Sequence, residues 1–96
     1  MREFEEILKE AIDLSLDEVF GKDTAKAVRF YVDTSIALKD ISYYEKVLRG
    51  IFLDGADLII DKIGKNLSKR INFEWKKGMS LKEVVELAKK FFSQQS

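Results

Sequence analysis

Apolar residues that return at three- and four-residue steps decide most about this chain, because that rhythm lines one face of an α-helix with a stripe that must be covered. From Arg2 to Phe20 the rhythm is kept by Phe4, Ile7, Leu8, Ala11, Ile12, Leu16 and Val19. Glu3, Glu5 and Glu6 stand in the first turn, where negative charge suits the unpaired amides, and Gly21 is placed to end the helix. A second helix is expected from Asp23 or Thr24 to Asp33, with Ala25, Val28 and the Tyr31/Val32 pair on its buried side. Arg29 and Asp33 are spaced for a four-residue charge pair. Val28, Phe30 and Val32 also alternate as β-formers, so a strand is the rival reading. The short link at Gly21, natural between antiparallel helices, favours the helix, and residues 34 to 41 read as a connection.

Ser42 followed by Glu45 matches a reciprocal capping box and sets the start of a third helix, with Tyr44, Val47, Leu48, Ile51 and Phe52 as its stripe. After a break at Asp54-Gly55 the longest helix runs from Ala56 to Phe73 on Ala56, Ile59, Ile60, Ile63, Leu67 and Ile71. Asp61 and Lys65 are oriented for a favourable pair along it. Gly50 sits in the third helix as a close packing contact or a mild weakness. Gly64 costs its helix about 1 kcal/mol relative to alanine, which points to close approach of another helix. Residues 72 to 78 form the second connection, with Lys76-Lys77-Gly78 as its most turn-like part. Ser80 and Glu83 make another capping box, opening a last helix on Leu81, Val84, Val85, Ala88, Phe91 and Phe92. Residues 93–96 should fray. The fold class is therefore all-α: a compact bundle of about five helices in one domain over residues 1–96, with the central helix at 56–73.

A chain of 96 residues, 46% apolar and 35% charged, suits one soluble core. It has no cysteine and no histidine, which removes disulfides, thiolate nucleophiles and the usual neutral-pH acid or base. A reducing, cytoplasmic setting fits. The opening residues do not form a signal peptide, and the longest apolar runs, at 51–53 and 58–60, are far too short to span a bilayer.

Asp13 with Asp17, and Asp57 with Asp61 near Asp54, have helical spacings of the kind that a paired-carboxylate enzyme or a divalent-cation site uses. Without the accompanying ligands they read as solvated faces. Ser35, Ser42, Ser68 and Ser80 lack an activating base, and the glycines at 50, 55, 64 and 78 lack phosphate-loop or dinucleotide spacing. Neither a catalytic residue nor a metal or cofactor is expected.

The charge pattern says more than the net charge of zero. Through Asp61 there are 14 acidic and 8 basic side chains, a balance of −6; from Lys62 onward there are 3 acidic and 9 basic, a balance of +6. Lys62, Lys65, Lys69 and Arg70, continued by Lys76 and Lys77, offer an outward basic face. Trp75 lies in a polar connection and, with Tyr43 and Phe73, is a candidate aromatic contact. The candidate partner contacts are Tyr43, Lys62, Lys65, Lys69, Trp75 and Lys77.

One resemblance extends from Leu8 through Ile71. It rests on VFG at Val19-Phe20-Gly21, KAVRFYV from Lys26 to Val32, ALKDI from Ala37 to Ile41, and VLRGIFLDGADLIIDKI from Val47 to Ile63. The chain thereby resembles a family of small archaeal helical domains that also occur as output modules on signalling proteins. Phe52, Gly55 and Ala56 match that family's phenylalanine and Gly-Ala junction. The family pattern there is closer to IFGEGA, so Leu53 in IFLDGA is a departure that bears on the helix junction. The resemblance implies an interaction or regulatory module and supplies no catalytic residue. The expected function is a non-catalytic helical protein-interaction module that binds itself or another protein, without membrane contact. Nucleic-acid association through the basic C-terminal half is the alternative.

Overall fold

Helix α1, Phe4–Phe20, turns its stripe inward so that Leu8, Ala11, Ile12 and Leu16 are buried. It stops where the sequence rhythm stops. Gly21 takes φ +83°, a backbone state that side chains resist, and its N–H closes on the Asp17 carbonyl at 2.8 Å. The same residue starts α2, Lys22–Tyr31, so the two helices share a one-residue link. The computed structural model that provides this description covers residues 2–94.

The backbone over Lys22–Tyr31 is helical, which removes the strand reading. Arg29 does not pair with Asp33. It reaches Asp17 of α1 at 3.3 Å, while Asp33 accepts the Ser35 N–H at 2.8 Å and caps α3, Thr34–Lys39. That helix occupies what the sequence reads as a connection. The bundle therefore has six helices among the described residues, one more than expected, because a six-residue helix is under two turns and shows no stripe. Thr34 ties it to α1 by donating to Asp13 at 2.7 Å.

Helix α4, Ile41–Phe52, is capped by Asp40, which accepts the Tyr43 N–H at 3.0 Å. The Ser42 cap is thus corrected: the helix begins one residue before Ser42, which lies exposed in its first turn. Glu45 is freed for a distant task. Its Oε1 accepts the amides of Leu81 at 3.0 Å and Lys82 at 3.4 Å, and its Oε2 holds Arg49. The expected box at Ser80 and Glu83 is present with both bonds at 3.1 Å, so the start of α6, Leu81–Gln94, is capped twice over.

The junction after α4 is strained. Leu53 adopts φ 52° and ψ −126°, as in the first central position of a turn that normally takes glycine. The long helix α5, Gly55–Arg70, follows and packs its isoleucines on α1; it ends three residues before the expected Phe73. Between these two helices Asn66 donates to Ser15 at 2.9 Å and to Glu18 at 2.8 Å, while Ser15 donates to the Ala11 carbonyl. These bonds satisfy polar atoms buried in the seam and fix its register.

Helix α6 closes the core against α4 and α5, and Phe92 meets Phe4 with ring centroids 5.6 Å apart. Phe92 therefore closes against the protein's own first helix, while half-buried Phe91 stands with Met79 and Leu87. Helical structure extends through Gln94, with Ser93 donating to the Lys89 carbonyl, into the stretch that the sequence reads as a fraying end. Residues 95 and 96, placed with them in the fraying end, lie outside the described residues. Among the described residues no helix is long and apolar enough to cross a membrane.

Candidate functional site

Helix α2 is attached on one side only. Its main partner is α1, and Ala25 is its single fully buried residue. Its apolar residues nevertheless cover more of its circumference than α1 can reach. Thr24, Ala27, Val28 and Tyr31 therefore line an open groove of about 360 Å³ whose other wall is Ile51 and Phe52, with Val32 at its end. Thr24 and Tyr31 carry the two hydroxyls of that lining, and its other residues are apolar. Phe52 is held from behind by Phe20, ring centroids 5.1 Å apart, which makes the far wall rigid.

Large apolar side chains stand at the rim in water. Phe30 is 85% exposed, Tyr31 80%, Leu53 71% and Ile51 51%. Phe30 and Tyr31 meet edge to face at 5.8 Å and 89°. Tyr31 is expected from the sequence on the buried side; the structure puts it outside because no helix lies opposite that face of α2. An apolar patch of this kind is uncommon on a protein with no partner, and aromatic residues at its rim are the type that anchors interfaces.

The sequence candidates fall into different places. Trp75 and Phe73 do not form an exposed patch. Phe73 is buried, and the Trp75 indole, packed against the core, brings its Nε1 and Cδ1 nearest to Gly64 of α5. The close approach expected at Gly64 is thus made by an indole from the 71–80 connection, not by a helix. Trp75 Nε1 is buried without a hydrogen-bond partner among the described residues. Gly50 has open space around it, so no contact requires a glycine there. Tyr43 is 54% exposed on α4 and pairs with no other aromatic ring among the described residues.

Lys65, Lys69 and Arg70 face outward along α5, while Lys62 is half-buried and 4.0 Å from Glu18. The turn carrying Lys76 and Lys77 folds back beside them, tied by the Gly78 N–H to Asp61 at 3.3 Å. Asp61 therefore serves the turn. The other carboxylates of interest are likewise engaged. Asp13 binds Lys9 and Thr34, Asp17 binds Arg29, and Asp57 binds Arg49 at 2.9 Å. Among the described residues no acidic cluster has the geometry to hold a metal ion.

Three ionisation equilibria carry clear shifts, among them that of Arg49, raised by its hydrogen bond to Asp57. The Ser35 backbone N–H holds the Asp33 carboxyl below its ordinary value. Burial pushes the Tyr44 phenol well above its ordinary range, and its hydroxyl has no partner among the described residues. Tyr44 is a core residue with 0% exposure and faces none of the grooves. Comparison with protein-family models, with curated proteins and with solved structures finds no match.

Proposed function

We propose that this chain is a non-catalytic protein-interaction module, working in the cytoplasm, whose docking surface is the α2/α4 groove. The observation that carries the reading is the apolar groove itself, rimmed by Phe30, Tyr31, Ile51 and Leu53 in water. Its lining offers no acid, base or nucleophile beyond the hydroxyls of Thr24 and Tyr31, which suits shape recognition of an apolar side chain and does not suit bond chemistry. The strained Leu53 adds weight. A glycine would relieve the backbone there, so an exposed leucine has its natural use in touching something else.

A photoreactive amino acid placed at Ala27, in the groove and exposed, tests this in living cells. Discrete protein adducts that disappear on Ile51→Asp are expected. Adducts that survive that substitution, or none at all, overturn the reading.

The basic face of α5 supports a second reading, nucleic-acid association, on the observation that the turn carrying Lys76 and Lys77 is tied to Asp61 of α5, four residues before Lys65. Binding of labelled single-stranded and duplex nucleic acid should then weaken steeply with salt and with Lys65→Glu/Lys69→Glu. No binding at low salt rejects it.

A further inference from the structure

We infer that the groove's occupant is a second copy of this chain, with Phe30 of each copy seated in the groove of the other. The inference rests on the interaction reading above and names the partner. Its first support is that knob and hole lie on one surface. Phe30 projects from α2 with 85% of its surface in water, and the groove is walled by the next face of the same helix. A surface that holds both complementary features closes on itself about a two-fold axis, where each copy gives and receives the same contact.

The area fits this occupant. Scaled by their exposure, Phe30 and Tyr31 leave about 350 Å² in water. Ile51 and Leu53 add about 200 Å². Two copies would cover about 1,100 Å² in total, just above the size at which specific interfaces begin and at the weak end of stable ones. An interface of that size belongs with weak, reversible association.

Charge points the same way. The exposed charged residues of α2 are Lys22, Asp23 and Lys26, and Asp54 follows Leu53, two of each sign. No strong charge of one sign near these elements calls for an acidic or basic partner. A chain with formal net charge of zero also does not repel its own copy.

Sedimentation equilibrium of the full chain across a wide concentration range is the test, with helical circular dichroism as the check on folding. A monomer–dimer equilibrium is expected, weakened at least about tenfold by Phe30→Asp and similarly by Ile51→Asp. Leu58→Asp is the control: Leu58 is 62% exposed on α5 and does not line the groove, so the equilibrium should not move. A chain that stays monomeric to about 1 mM overturns the inference, as does a dimer that Leu58→Asp weakens and Phe30→Asp leaves intact. If the chain is monomeric while residue 27 still captures another protein in a groove-dependent way, the second copy is the wrong occupant and the interaction reading stands. If capture fails as well, both fall.

Discussion

Replacing Gly64 by alanine sets two opposed effects against each other. Helix propensity favours the change by about 1 kcal/mol, since Gly64 lies in the interior of α5. Packing opposes it. A Cβ at this position would stand 2.2 Å from Trp75 Nε1, 2.4 Å from Cδ1 and 3.1 Å from Cε2. Ordinary contact begins near 3.5 Å, so the indole has to retreat by about 1.3 Å. Overpacking of this kind costs about 2 kcal/mol. Lifting the ring also returns about 60 Å² of apolar surface to water, or about 1.5 kcal/mol. The sum is a net loss of about 2.5 kcal/mol, which lowers the Tm of a domain this size by about 10 to 20 °C.

The protein reports on itself here, because Trp75 is its one tryptophan. Gly64→Ala should shift the emission to the red and open the indole to iodide quenching, in step with the lower Tm. In a Trp75→Ala background the clash is gone and only propensity remains, so the same substitution should raise stability by about 1 kcal/mol. A Gly64→Ala protein that melts higher than the parent with unchanged emission would refute the reasoning, since the indole would then not be resting on the glycine.

Leu53→Gly should stabilise the monomer by about 1 kcal/mol, seen as a higher urea midpoint, because φ 52° is strained for leucine and free for glycine. A lower midpoint would mean that the turn is not strained. Glu45→Ala removes the acceptor for the Leu81 and Lys82 amides and should cost about 1 to 2 kcal/mol by thermal melting; Ser80→Ala should cost about 1 kcal/mol by loss of the adjacent cap. An unchanged Tm in Glu45→Ala would show that water replaces the carboxylate without loss. Asp33 contributes to the acid limb of stability. Its carboxyl is held below the ordinary 3.8, so its contribution is complete above that pH and is lost as pH falls through the lower folded value. Asp33→Asn should therefore lose less stability than the parent between pH 4 and pH 2, in melting curves taken at each pH; equal losses would exclude Asp33 as a contributor.

Much of the fold is legible from short-range rules. The stripe of α1, the Gly21 stop and the Ser80–Glu83 box each depend on residues within a few positions of one another, and each stands where the sequence puts it. Rules of that range fail where the deciding partner is remote. Ser42 and Glu45 satisfy the box pattern, yet Glu45 is drawn to amides 36 and 37 residues away. Trp75 reads as exposed because its neighbours are polar, and only the fold brings it over Gly64. Helix α3 is too short to show a period.

The groove was the hardest feature to see, because a stripe facing a groove and a stripe facing a core look alike in sequence. One signal was present. Ala25, Ala27, Val28, Phe30, Tyr31 and Val32 wrap too far around α2 for one neighbouring helix to cover them all.

The carboxylate of Glu45 also bears on the order in which the molecule can be made. A ribosome releases α4 well before α6, so the acceptor for two α6 amides is synthesised some 36 residues ahead of its donors. The last helix needs no separate nucleus at its first turn. It can form against a template already waiting on the nascent chain, and until it does, the apolar faces of α4 and α5 that it covers stay open to chaperones.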